Sequence, residues 1–139
     1  MNRRDFQELA EARQKEARAL LDNGCYEGAY YLVGYAVECA LKACIAKKTC
    51  RYDFPPEPRE VSKIYTHNLN GLLDLAGLSQ ELEKEKDAGS DVWINWGLVK
   101  DWSEGLRYEV SVPERRARDV YGAVADARNG VLVWLKKWW

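Results

Sequence analysis

Histidine occurs once in this 139-residue chain, at His67, and that scarcity removes much of the chemistry the residue supports. A structural zinc site needs four ligands at set spacing. The four cysteines, Cys25, Cys39, Cys44 and Cys50, contain no CxxC pair to supply them. No metal site is expected, and no cofactor. An excess of one charge is lacking too: 21 Lys+Arg stand against 22 Asp+Glu. The net balance thus favours neither a nucleic-acid nor a membrane partner, and only local clustering could. The opening MNRRDFQELAEARQKEARALL has no apolar h-region and no small-residue cleavage site, so no secretory signal is read. The expectation is a cytoplasmic protein with reduced thiols, two of them core filler. Strand-period alternation and internal repeats are missing as well.

What is present is helical. Asp5 to Leu21 places Phe6, Leu9, Ala10, Ala17, Leu20 and Leu21 near helical spacing, and Asn23-Gly24 supplies a stop. A second helix is expected from Tyr26 to Lys47, antiparallel to the first. Pro55, Pro56 and Pro58 make Lys48–Tyr65 a loop, with a helical turn near Arg59–Ile64. LNGLLDLAGL then reads as a short helix that Gly77 stops, with Leu69, Leu72, Leu73 and Leu75 inward. Ser79 could cap QELEKEKDAG, and Ser90-Asp91 could open VWINWGLVKDWSE, burying Val92, Trp93, Trp96, Val99 and Trp102. LRYEVSVP reads as an extended connector. Pro113 suits the first turn of one last helix, with Val120, Val124, Ala127, Val131, Trp134 and Leu135 as its stripe. Gly130 inside that stripe would cost about 1 kcal/mol relative to Ala. The fold class is all-α: an antiparallel helical bundle of about five helices in a single domain, 1–139.

The run Gly28–Ala46, GAYYLVGYAVECALKACIA, is the only candidate for a membrane span, and Glu38 cuts it short of the ~20 apolar residues a span needs. No membrane contact is expected. A helix apolar on all sides must be covered on all sides. Either it is the central helix of the bundle, or one face pairs with a second chain, and a symmetric homodimer built partly on this helix is the expectation. Glu38 and Lys42 stand i, i+4 on it, in the favourable order for an ion pair. They mark either its one solvated stripe or a polar ligand cleft.

The stretch EARQKEARALLDNGCYEGAYYLVGYAVECALKACIA resembles the first two helices of HEPN domains (higher eukaryotes and prokaryotes nucleotide-binding). The pattern is a helix ending LLD-x-G-x-Y, then AYYL-x-GYA-x-E-x-ALKA. Thr66-His67-Asn68-Leu69 resembles the family's HxL segment, and Trp102 with Leu106-Arg107-Tyr108 and VLVWLKK fit its last third. The resemblance implies a helical bundle, commonly dimeric and often encoded beside a minimal nucleotidyltransferase. Many members are metal-independent ribonucleases that act as toxins, through an Arg-x(4–6)-His signature near the last helix. This chain departs from that signature. Arg59 precedes His67 with seven residues between, Arg51 is further still, and downstream of Arg107 stand Val112, Pro113 and Glu114.

The expectation is therefore a non-catalytic HEPN-like dimeric domain that binds a nucleotide, a nucleotidyltransferase-like partner or both, as part of a toxin–antitoxin or defence-type module. Its ligand-binding candidates are Glu38, Lys42, Arg107 and Tyr108. An atypical metal-independent ribonuclease using His67 and Arg107 is one alternative, and a dimeric scaffold without ligand is another. His67 could shuttle protons or belong to a helix cap with Thr66 and Asn68. Arg107 could clamp a phosphate or pair with Glu38 or Asp101. The basic residues Arg115, Arg116, Arg118, Arg128 and Lys136–Lys137, with the tail WLKKWW, could attract RNA, or form a solvated face beside packed tryptophans.

Overall fold

The computed structural model describes residues 1–52, 62–108 and 111–139, and at 50–52, 106 and 107 it describes the backbone alone. Arg59 lies outside the described residues. The first helix, α1 (Arg3–Asp22), opens on a capping box: the Asn2 side chain accepts from the Asp5 amide, and the Asp5 carboxylate accepts from the Asn2 amide. Ala10, Ala17 and Leu21 face inward. The turn at Asn23-Gly24, where Gly24 adopts φ 74°, hands the chain directly to α2 (Tyr26–Tyr52), which packs along α1. It continues past Lys47, where the periodicity predicts its end.

Helix α2 is the centre of the molecule. Ala29, Val33, Ala36, Val37, Ala40, Leu41 and Ala43 are buried along it, and α1 and most of the later helices lean on it. Length and composition over Tyr26–Thr49 would suffice for a membrane span, so Glu38 does not interrupt the run as sharply as its charge implies. Within the fold, 72% of the apolar 18-residue window inside that stretch is buried. The central-helix explanation thus accounts for its apolar character without a second chain. Gly34 has a specific reason to be small: a Cβ there would stand 2.2 Å from the indole of Trp102, which lies flat enough on the helix to be 3% exposed.

The remaining elements are short. They are α3 (Leu69–Leu75), α4 (Ser79–Asp87), α5 (Asp91–Val99), a 3-10 helix (Glu104–Tyr108), α6 (Glu114–Ala125) and α7 (Val131–Leu135). Residues 62–64 are helical, in keeping with the turn expected there, of which 59–61 lie outside the described residues. No strand occurs among the described residues, and the class is all-α. The helices are more numerous and shorter than the five or so expected. Asn68 caps α3 by accepting from the Gly71 amide, and Ser90 caps α5 by accepting from the Val92 amide. Ser79 does not cap α4. Its hydroxyl donates to Asp74 instead, at 3.3 Å.

Two expectations fail in the last third. The 3-10 turn Glu104–Tyr108 takes in Leu106–Tyr108, the start of the stretch predicted as an extended connector. The last helix is two helices: at Asp126 the backbone leaves the helical region (ψ 132°), and α7 restarts after Gly130. The Asp126 carboxylate accepts from the amides of Arg128 and Asn129, which offers the chain a turn in place of a helical step. Gly130 is no mid-helix penalty, because a Cβ there would meet the backbone oxygen of Asp126 at 2.4 Å. Ala127 is consequently exposed, and Ala123 takes its place in the core. The tail packs on the body: Trp134 is buried, Trp138 meets it edge-on at 4.8 Å, and Lys136 pairs with Glu11.

Candidate functional site

Burial singles out one group. Glu38 is 1% exposed, and it is the buried charged side chain among the described residues. Helix periodicity brings Lys42 one turn further along the same face, and its Nζ donates to Glu38 Oε1 at 2.9 Å. The second partner arrives from far away in sequence. His67 Nδ1 stands 3.0 Å from each Glu38 oxygen, and its Nε2 stands 2.9 Å from Glu104 Oε2. Lys42, Glu38, His67 and Glu104 form one line of ionic and hydrogen-bonding contacts. It runs from the centre of α2 to the surface, where the His67 and Glu104 side chains are 40% and 42% exposed.

The physical sense of the arrangement is compensation. An unpaired carboxylate inside a protein costs several kcal/mol, and an ion pair offsets that only when its lone pairs are satisfied. Glu38 has two donors, one ammonium and one ring N–H. The imidazole lies between two carboxylates, and both its nitrogens can donate at once only in the imidazolium form. His67 is therefore not a cap residue. Thr66 Oγ1 accepts from the Asn68 amide and Asn68 Oδ1 from Gly71, which leaves the ring free to turn toward α2.

His67 also faces a cleft of about 430 Å³, lined with it by Thr66, Asn70, Lys100, Asp101 and Glu104. Trp102 forms part of its wall. The Trp102 indole N–H finds no acceptor among the described residues. The lining is mostly polar, offering amides, a hydroxyl at Ser103, one ammonium and two carboxylates. Glu38 and Lys42 are largely buried rather than a solvated stripe, and relative to this cleft they stand behind the histidine that lines it.

Of the other candidates, Tyr108 is 76% exposed on the 3-10 turn, and the side chain of Arg107 lies outside the described residues. The acids considered as its partners are placed: Glu38 is taken by Lys42 and His67, and Asp101 lines the cleft. Glu104 is the residue that sequence reasoning missed, since nothing in WSEGL sets it apart from other surface acids. The two buried thiols of α2 are held in their neutral form. Burial, reinforced by the charge of Glu38, pushes Cys39 up to about 11, and burial pushes Cys44 up to about 12. No group of His, Cys, Asp and Glu side chains among the described residues has a metal-binding arrangement. The basic residues of α6 are interleaved with acids, Arg118 with Glu114 and Arg115 with Asp119.

No match was found among curated proteins or among solved structures. The family model for the HEPN domain matches residues 4–137, which takes in α1 through α7 together with the Glu38–His67 cluster and its cleft. On that match and the all-helical fold, the chain belongs to the HEPN domain family.

Proposed function

We propose that this chain is a nucleotide-binding HEPN domain that does not cut RNA, with the cleft beside His67 as its ligand site. The observation that carries the reading is the double engagement of His67. A general base must hold a free nitrogen within reach of the proton it takes. Here Nδ1 is directed at Glu38 and Nε2 is closed by Glu104. Two carboxylates flanking the imidazole also oppose the approach of a phosphodiester, and the Arg-x(4–6)-His spacing is not met in the sequence. The same cleft suits a nucleoside. Asn70 and Ser103 offer hydrogen bonds to a base edge, Asp101 can accept from ribose hydroxyls, and Lys100 can meet a phosphate.

One observation favours a second reading. A histidine held on one nitrogen by a buried carboxylate, with the other turned outward, is oriented as acid–base residues are. If Glu104 were a gate over such a centre, removing it would expose Nε2. Calorimetric titration with purine and pyrimidine nucleotides, beside metal-free incubation with end-labelled RNA, separates the two. The expected result is saturable nucleotide binding that weakens in Asp101→Asn and His67→Ala, with intact RNA throughout. RNA cleavage that grows in Glu104→Gln and vanishes in His67→Ala would establish the ribonuclease reading instead.

A further inference from the structure

The contact between His67 and Glu104 is the exposed end of a buried arrangement. Glu38 is 1% exposed and held by the Lys42 ammonium at 2.9 Å, whereas the Glu104 side chain is 42% exposed on its 3-10 turn. Between them the imidazole turns a nitrogen to each. Nδ1 stands 3.0 Å from both Glu38 oxygens, and Nε2 stands 2.9 Å from Glu104 Oε2. Both contacts are hydrogen bonds only while each nitrogen carries a proton. A neutral ring keeps one proton, so one of the two contacts must then become acceptor against acceptor.

The surroundings decide which contact fails. Among the described residues, the charged groups around the ring are Glu38 and Lys42 on α2, Lys100 and Asp101 just beyond α5, and Glu104. Tyr35 and Cys39 feel the charge of Glu38 from α2, with Arg13 of α1 near both, and burial keeps the two of them neutral. A ring lone pair turned on Glu38 would leave a buried carboxylate against an acceptor, away from the water that could relieve it. The same clash at Glu104 is relieved when that side chain swings into solvent. The last proton therefore stays on Nδ1, and Glu104 is the group that leaves.

We propose that Glu104 is a proton-operated gate on the His67 cleft, closed on the imidazolium and released as rising pH takes the proton from Nε2. The open form turns a bare Nε2 into the cleft that Asn70 and Ser103 also line, as an acceptor for an N–H or hydroxyl of a nucleoside. This regulation rests on the ligand reading of the cleft for its use. The gate itself opens without a ligand.

Nuclear magnetic resonance of the full chain, without nucleotide, tests it directly. His67 is the only histidine, so the ring gives one set of imidazole signals, to be followed from about pH 5 upward. Nε2 is expected to lose its proton while Nδ1 keeps its own. Over the same step the Overhauser contact between the ring and the Glu104 methylenes should be lost, with the Glu104 and Gly105 amide signals moving at the same midpoint. Glu104→Gln, an exposed and isosteric change, should keep the contact at every pH, because a carboxamide can donate to bare Nε2 as well as accept from its N–H. Loss of the Nδ1 proton instead overturns the proposal. So does a wild-type Glu104 contact that survives deprotonation, or a ring that holds both protons until the chain unfolds. Nucleotide that binds neither form would sink the ligand reading and leave these signals unchanged.

Discussion

Helix α2 and the α5–α6 face break the rule of apolar inside and polar outside in opposite directions. The first carries a carboxylate at 1% exposure in a run of alanine, valine and leucine. The second leaves isoleucine, leucine and two unexplained glycines in the open. Buried polar groups and exposed apolar patches are the informative exceptions in a globular protein. The buried charge is explained within the chain, by Lys42 and His67. The exposed patch, Ile94 and Leu98 with Gly97 and Gly122, has no such explanation among the described residues.

Breaking the first side of this comparison should have the largest effect. Lys42→Met leaves Glu38 without its ammonium and is expected to cost about 3 kcal/mol in denaturant unfolding, in the range for one partner lost from a buried pair. Glu38→Leu combined with Lys42→Met should recover most of that loss. If it does, the pair is kept for the position of His67 rather than for stability. The glycines give the next contrast. Gly34→Ala drives a methyl into the Trp102 ring, 2.2 Å away, and overpacking of that kind costs about 1–3 kcal/mol. Gly122→Ala should do the reverse, since a Cβ there meets nothing within 4 Å, and stabilise the fold by about 0.5–1 kcal/mol. Thermal melts of both variants check the pair of signs.

The smallest effect concerns the thiols. Burial raises the pKa of Cys39 and Cys44, whereas a thiol in an unfolded chain titrates near 8.5. The neutral form is the one the fold favours. That contribution to stability is full below about pH 8.5 and is lost as pH rises toward 11. Stability should decline over that alkaline window, less so in Cys39→Ala. A thiol reagent at neutral pH should label the exposed Cys25 quickly, and Cys39 and Cys44 only after unfolding.

Much of the fold was legible because its signals are local. Asn23-Gly24, Asn68 and Ser90 mark helix ends through their own side chains or backbone freedom, and leucine spacing marks α3. The break between α6 and α7 was missed because aspartate is tolerated in a helix and the apolar period runs on across it. The sequence Asp126-Ala-Arg-Asn-Gly130 does carry a turn signature, an acceptor side chain followed by glycine. The site was legible only in part. Glu38 and Lys42 declare themselves as charges in an apolar run. Nothing local says that His67 would leave its cap and cross to α2, since that contact spans 29 positions. Glu104 is decided by the 3-10 turn that carries it.

The line from Glu38 through His67 to Glu104 has a consequence for the order in which the chain folds. Helices α1 and α2 are consecutive and joined by a tight turn, so their docking closes almost no loop, while the histidine contact must wait for a longer segment to return. Contacts made late contribute little to the folding barrier and much to the barrier against opening. A charged tie formed after the α1–α2 hairpin acts as a latch: it would scarcely change how fast that hairpin assembles, yet it would govern how long the cleft, once built, stays built.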